Sequence, residues 1–194
     1  TARGGQSLAV LLEHPNSNLE ELHLGFNNIG DEGALIFANA LVTNCRLKKF
    51  GLGYNGITAK GCQSLAALLE SPTSNLELLD LGQNNICNEG ALIFANALAS
   101  NRKLKYLTLD RNDGITAEGW SSFSKVLCDT SSVNNTFLSN HTFEHLDGDQ
   151  SILPHDIRSF LTLNSSSDDK KQVAIKKILK HHHRFDMQPF FEWD

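Results

Sequence analysis

No run in this chain stays apolar for the ~18 residues that a membrane span needs, and no charged-then-apolar leader is visible, so neither a span nor a signal peptide is expected. The opening TARGGQSL leaves room for a missing N-terminus, and with it for organelle targeting. Cysteine is scarce. Cys45, Cys62, Cys87 and Cys128 show no CxxC or CxxH spacing, which argues against zinc and suits small reduced thiols in an intracellular, cytoplasmic protein. Neither sign of charge dominates. With 17 Lys and Arg against 22 Asp and Glu, a net charge of -5 gives no global pull toward nucleic acid or anionic membrane, and any basic site must be local. GxSxG, HExxH, Walker-type and GxGxxG motifs are all missing, so no enzyme active site and no cofactor are expected. Sequons at Asn134, Asn140 and Asn164 are what chance supplies in a chain rich in Asn, Ser and Thr.

What the chain does contain is repetition. The octapeptide ALIFANAL runs from Ala34 to Leu41 and again from Ala91 to Leu98. It lies inside a longer duplication, LEELHLGFNNIGDEGALIFANALVTNCR from Leu19 and LELLDLGQNNICNEGALIFANALASNRK from Leu76. A second kind of unit alternates with the first: LKKFGLGYNGITAKGCQSLAALLESPTSN from Leu47 and LKYLTLDRNDGITAEGWSSFSKVLCDTSS from Leu104, with a truncated copy at the start. Each unit is ~28 to 29 residues long.

Every unit opens with LxxLxL or LxxFxL, then two residues, then Asn27, Asn55, Asn84 or Asn112. Alternation sends the apolar residues of this short strand inward and their neighbours outward. The Asn turns the chain inward, where its amide can satisfy backbone groups of adjacent coils. A helix is expected next, with Asp31, Thr58, Asn88 and Thr116 as N-caps. In ALIFANAL, Leu35, Phe37, Ala38 and Leu41 recur at helical spacing and are expected against the sheet. One unit could not bury such a stripe alone, whereas stacked units share a continuous core.

The LxxLxLxxNxI strings, the xxxG that follows them and the two alternating types resemble the ribonuclease-inhibitor type of leucine-rich repeat. The same type builds the sensor arms of NOD-like receptors and the Ran GTPase-activating protein. The resemblance implies an α/β solenoid, a horseshoe arc with a concave parallel β-sheet, convex helices and a helical C-terminal cap. It is specific for fold and weak for function, since that scaffold serves many partners.

The repeats are assigned to residues 1–143, with full units starting at 19, 47, 76 and 104 and a degenerate half-repeat from 133. In that last unit a fifth strand is expected over Asn135 to Ser139, with Thr136 in place of a core leucine and His141 in place of the turn Asn. Residues 144–194 read as a helical capping tail, resembling the segment that closes the repeats in expanded intracellular families of photosynthetic protists. Val173, Ile175, Ile178 and Leu179 are its expected apolar face, buried against the final repeat and Trp120. Lys170, Lys171, Lys176, Lys177, Lys180 and Arg184 form a candidate anion-binding patch, or more plainly the solvated face of a capping helix. Three consecutive histidines point too far apart on a helix to share one ion.

Function is expected on the concave face, in a noncatalytic scaffold that binds another protein. Counting from the first Leu of each unit, that face receives Glu21, His23, Phe26, Lys49, Tyr54, Leu78, Asp80, Gln83, Tyr106, Thr108, Asp110, Arg111, Asn135 and Phe137. Tyr, Phe and Arg are the residues from which binding hot spots are usually made. Two alternatives stand beside this reading. One is regulation of a GTPase, with Arg111 as charge donor; the other is capture of an acidic or phosphorylated partner by the basic tail.

Overall fold

The computed structural model describes residues 2–14, 17–44, 46–148 and 153–182. Each LxxLxL segment becomes a short strand: β1 (Glu21–His23), β2 (Lys49–Gly51), β3 (Leu78–Asp80), β4 (Tyr106–Thr108) and β5 (His145–Asp147). They pair in chain order as one parallel sheet, with Leu22, Phe50, Leu79, Leu107 and Leu146 in register. Helix α1 (Ala2–Glu13) precedes β1, and between strands run α2 (Gly30–Thr43), α3 (Ala59–Glu70), α4 (Asn88–Ser100) and α5 (Ala117–Leu127), each helix packed on the next.

The helical stripe differs by one position from the expected one. Ala34, Phe37, Ala38 and Leu41 are buried, as are Ala91, Phe94, Ala95 and Leu98 in the duplicate, while Leu35 and Leu92 face solvent. This is strict i, i+3, i+4, i+7 spacing beginning at the alanine.

The turn after each strand is held by its asparagine. Asn84 donates through Nδ2 to Leu52 O in the preceding coil (3.1 Å) and to Leu81 O in its own (2.9 Å), while its Oδ1 accepts from the backbone N–H groups of Asn55 and Ile57 (3.0 Å each). Asn55 and Asn112 repeat the pattern. Asn27, on the first strand, bonds only within its own coil and is exposed.

A second ladder of asparagines closes the helices. Asn44, Asn101 and Asn140 each lie three residues before the first apolar residue of a strand, accept from the next two available backbone N–H groups, and donate to a carbonyl of the previous helix. The helix starts carry a third bridge. Thr58 is the N-cap of α3, but Asp31 lies inside the first turn of α2 rather than capping it, and accepts instead from the N–H groups of Thr58 and Gly61 in the next coil. Asn88 likewise lies inside α4 and accepts from the Thr116 N–H. Glycine is required at Gly61 because an added Cβ would press on Asp31 Oδ1 at 2.6 Å.

The last coil corrects the expected register. Residues Val133–Leu138 form the helix α6, capped by Ser132, whose Oγ accepts from the Asn135 N–H (3.0 Å). The fifth strand comes instead from Phe143, Leu146 and Gly148, after an insertion, so it lies past position 143 in the segment expected as tail. Asn135 and Phe137 therefore sit on a helix and not on the concave sheet. His141 precedes the fifth strand and so does not hold the turn position expected of it, while Asn140 continues the helix-closing ladder of Asn44 and Asn101. Gly148 occupies the place of Leu109, because the Trp120 ring, standing where other coils have Ala or Cys, fills the space a side chain would need.

Helices α7 (His155–Asn164) and α8 (Lys170–His181) pack on each other and on the final coil, α7 beside α5 and α8 beside α6. Ile157, Phe160, Val173, Ala174 and Ile178 are buried there. Leu179 is exposed and Ile175 only half-buried, against expectation, and the turn that brings Val173 and Ile178 inward also buries Lys177.

Asn84→Ala would leave the N–H groups of Asn55 and Ile57 without their acceptor and take one of two amide donors from Leu52 O and Leu81 O, and should cost about 3 kcal/mol, whereas Asn27→Ala should cost below about 1 kcal/mol, both read by urea denaturation. The Trp120–Gly148 exchange is checked by a double-mutant cycle. Trp120→Ala alone should cost roughly 3–5 kcal/mol and Gly148→Leu alone roughly 1–3 kcal/mol, with the pair together losing less than their sum by at least ~1 kcal/mol.

Candidate functional site

The outward positions of the five strands form rows across the concave face. Glu21, Lys49, Leu78, Tyr106 and His145 make one; His23, Gly51, Asp80, Thr108 and Asp147 make the next. His145 and Asp147 were missed by the sequence reading, although two signals pointed to them. Asn140 stands before Phe143 as Asn101 does before Leu104, and Glu144 continues the alternation Glu20, Lys48, Glu77, Lys105.

That alternation is a ladder of ion pairs along the rim: Lys48 to Glu20 at 3.0 Å, Lys105 to Glu77 at 3.1 Å, and Lys170 from α8 to Glu144 at 2.8 Å. Glu21 and Lys49 pair similarly at 2.7 Å, and that hydrogen bond lowers the Glu21 pKa and raises that of Lys49. The carboxylates deeper on the face have no such arrangement. Burial first, then the charges of Asp147 and Asp80, push the Asp110 carboxyl above its ordinary value, with Arg111 at 3.9 Å opposing them.

Beyond the strands, Phe26, Tyr54, Gln83 and Arg111 occupy one equivalent position in four successive coils, and all adopt left-handed backbone with φ of 59, 57, 56 and 52°. The geometry is imposed by the ladder, which continues through them: Phe26 N–H to Gly53 O, Tyr54 N–H to Gly82 O and Gln83 N–H to Asp110 O, each 2.9 Å. Glycine or asparagine would adopt this conformation at least cost. Here the first two coils place aromatic rings, stacked at 5.0 Å between centroids, with Phe26 77% and Tyr54 56% exposed. The chain has 2 tyrosines, and both Tyr54 and Tyr106 lie on this side and are exposed. Arg111 is exposed at the far end of the same row.

The basic tail patch is divided by the fold. Lys177 is fully buried, its Nζ donating to Leu127 O at 2.5 Å and lying 5.7 Å from the Phe160 ring centroid. Lys170 is spent on Glu144 and on the carbonyls of Asn164 and Ser167. Lys171, Lys176 and Lys180 are exposed, the last two bonded to Ser166 and Ser159, and Arg184 lies outside the described residues. Burial brings the Lys177 pKa down to about 7, with Lys170 acting the same way and Cys128 opposing. Among the described residues no group of His, Cys, Asp and Glu is set to hold a metal ion, and no helix is long and apolar enough to cross a membrane.

A parallel sheet built one strand per coil, with a helix returning each time, defines a β/α solenoid. The family described as Leucine Rich repeat matches residues 16–38, 43–66, 74–95 and 100–124. Ribonuclease inhibitor of Mus musculus is 33% identical over 127 residues, 64% of this chain and 27% of that protein. NACHT, LRR and PYD domains-containing protein 3 of Homo sapiens is 33% identical over 138 residues, 70% of this chain and 13% of its own length. The chain is thus a leucine-rich-repeat protein of the ribonuclease-inhibitor-like type, and it spans only a small part of the curated relatives it matches. Among solved structures, leiomodin-1 actin-binding site 2 superposes with a TM-score of 0.70 at 17% identity, covering 90% of this chain and 95% of that one. The tropomodulin C-terminal domain of Caenorhabditis elegans gives 0.62 at 12%, covering 92% and 98%. At these identities the likeness is one of fold.

Lys177 predicts a pH dependence. Its folded pKa lies below the unfolded value near ~10.4, so the unfolded chain binds more protons between those values and stability rises with pH in that window. Burial raises the pKa of the neighbouring Cys128 thiol, which opposes the trend only at higher pH. The unfolding free energy from urea titrations between about pH 7 and pH 8.5 should increase by up to ~1.4 kcal/mol per pH unit, and Lys177→Met should flatten that slope.

Proposed function

We propose that this chain is a noncatalytic scaffold that binds a partner protein across its concave face, with the Phe26–Tyr54 pair as the anchor. The observation that carries this reading is the stacked pair itself. Two aromatic residues stand in left-handed backbone, at a cost on the order of 1 kcal/mol or more each, and neither recovers that cost by burial. Strain kept at an exposed site is accounted for when a bound surface covers it, and Tyr and Phe are suited to that contact. From this pair the face continues over Gly25, Gly53 and Gly82, a low floor, to Tyr106, His145 and the carboxylates of Asp80, Asp110 and Asp147. Five strands at ~4.8 Å span roughly 20 Å, room for a small or standard interface.

A Phe26→Asn, Tyr54→Asn double variant separates folding from binding. It should be at least as stable as the parent, gaining about 1 kcal/mol in urea denaturation, because Asn tolerates the left-handed region. A photo-crosslinker at Gln83 should label a discrete protein in native lysate with the parent chain and not with the double variant. Unchanged labelling in the variant, or labelling lost only with Arg111→Ala, would count against this anchor.

A further inference from the structure

The rim from which the strands set out carries a cleft of about 420 Å³ that the concave-face reading does not use. Residues flanking the first buried leucine of a strand both point away from the core. In the second coil these are Arg46 and Lys48 around Leu47, and in the fourth Lys103 and Lys105 around Leu104. The third coil, between them, contributes Asn75 and Glu77. Two cationic walls thus stand two strand spacings apart, about 10 Å, across a polar floor.

Charge bookkeeping inside the cleft leaves a surplus. Glu20 and Glu77 are matched by Lys48 and Lys105. Arg46 and Lys103 are exposed and make no ion pair among the described residues, and Arg102 adds a third positive charge. Arg102 is held in place by donating to Ala99 O (2.9 Å), Asn101 O (3.1 Å) and Leu138 O (3.1 Å), so its charge is fixed before any ligand arrives. This local surplus stands on a chain whose net charge is -5.

We propose that this cleft binds a carboxylate-rich segment of a partner protein. The donor set favours spread carboxylates over a single phosphoryl group. Most of the Arg102 fork is committed to carbonyls, so it offers charge more than bidentate geometry, and the lysines are point charges set along the rim. Among the described residues no aromatic lines the cleft, so they offer none of the stacking surface that single-stranded nucleic acid uses. The contact is independent of the Phe26–Tyr54 anchor and gives the scaffold a second, electrostatic point of attachment.

The probe is a fluorescein-labelled oligoglutamate peptide, titrated into the whole chain and followed by anisotropy, beside a labelled single-stranded oligonucleotide. Peptide binding is expected, weakening by about tenfold as added salt shortens the Debye length from ~10 Å toward ~3 Å. The surface variant Arg46→Glu, Lys103→Glu should abolish it with an unchanged circular-dichroism spectrum and urea midpoint, and Arg46→Gln, Lys103→Gln should weaken it by about tenfold, since one decade is about 1.4 kcal/mol. Lys171→Glu, Lys176→Glu on α8 should leave it intact. The proposal is overturned if the parent chain does not bind the peptide at low salt, if the rim variants bind like the parent, if the α8 variant is the one that loses binding, or if the oligonucleotide binds and the peptide does not.

Discussion

A coil of this kind must turn its backbone inside a water-free core, and the turn has no regular ladder to satisfy its polar groups. The side-chain amide of one asparagine per coil resolves this by donating backward to the previous coil and accepting from the backbone N–H groups that follow that coil's strand. Every other feature depends on the resulting spacing. The strands keep register, the helices fall into repeated grooves, and the rim charges of one coil meet those of the next. Because each amide serves its neighbour, the interaction belongs to the interface between coils, and Asn27, whose amide reaches only carbonyls of its own coil, is exposed.

Most of this was legible in the sequence where the chain repeats itself. Four strands, their parallel order and the inward asparagines follow from LxxLxLxxN because both period and residue type are fixed by packing. The fifth strand was misplaced for a physical reason: Val133, Thr136 and Leu138 imitate the strand spacing at the expected distance, while an insertion shifts the true strand to Phe143, Leu146 and Gly148. Gly148 hides the pattern further, since its missing side chain is supplied by Trp120 from another element. The tail was harder still. Its polarity suggested a basic surface, and only tertiary packing shows that Lys177 is turned inward by the same helical phase that buries Val173 and Ile178.

The candidate concave site was readable as a set of positions and unreadable as a geometry. Sequence placed Phe26, Tyr54, Gln83 and Arg111 on one row, but the left-handed backbone common to all four emerges only from the inter-coil hydrogen bonds. Electrostatics divides the surface in the same way. At the rim, each glutamate has a lysine from the next coil or from α8, whereas on the floor the charges of Asp147 and Asp80 add to burial in raising the cost of ionising Asp110. The rim thus keeps a cationic surplus beside its ion pairs, and the floor carries a cluster of carboxylates, so the two parts of the surface differ in sign.

The alternation of coil types has a consequence for how such a chain can change length. Glu20, Lys48, Glu77 and Lys105 attract in sequence, and Asp31 and Asn88 each reach a threonine that only the other type provides. Excising one coil would set Glu20 beside Glu77 and leave Asp31 facing Cys87; excising two would set Glu20 beside Lys105 and Asp31 beside Thr116. The heritable unit is therefore the pair, and the octapeptide written twice marks the step, roughly 57 residues, by which this array can grow or shrink without meeting its own charge.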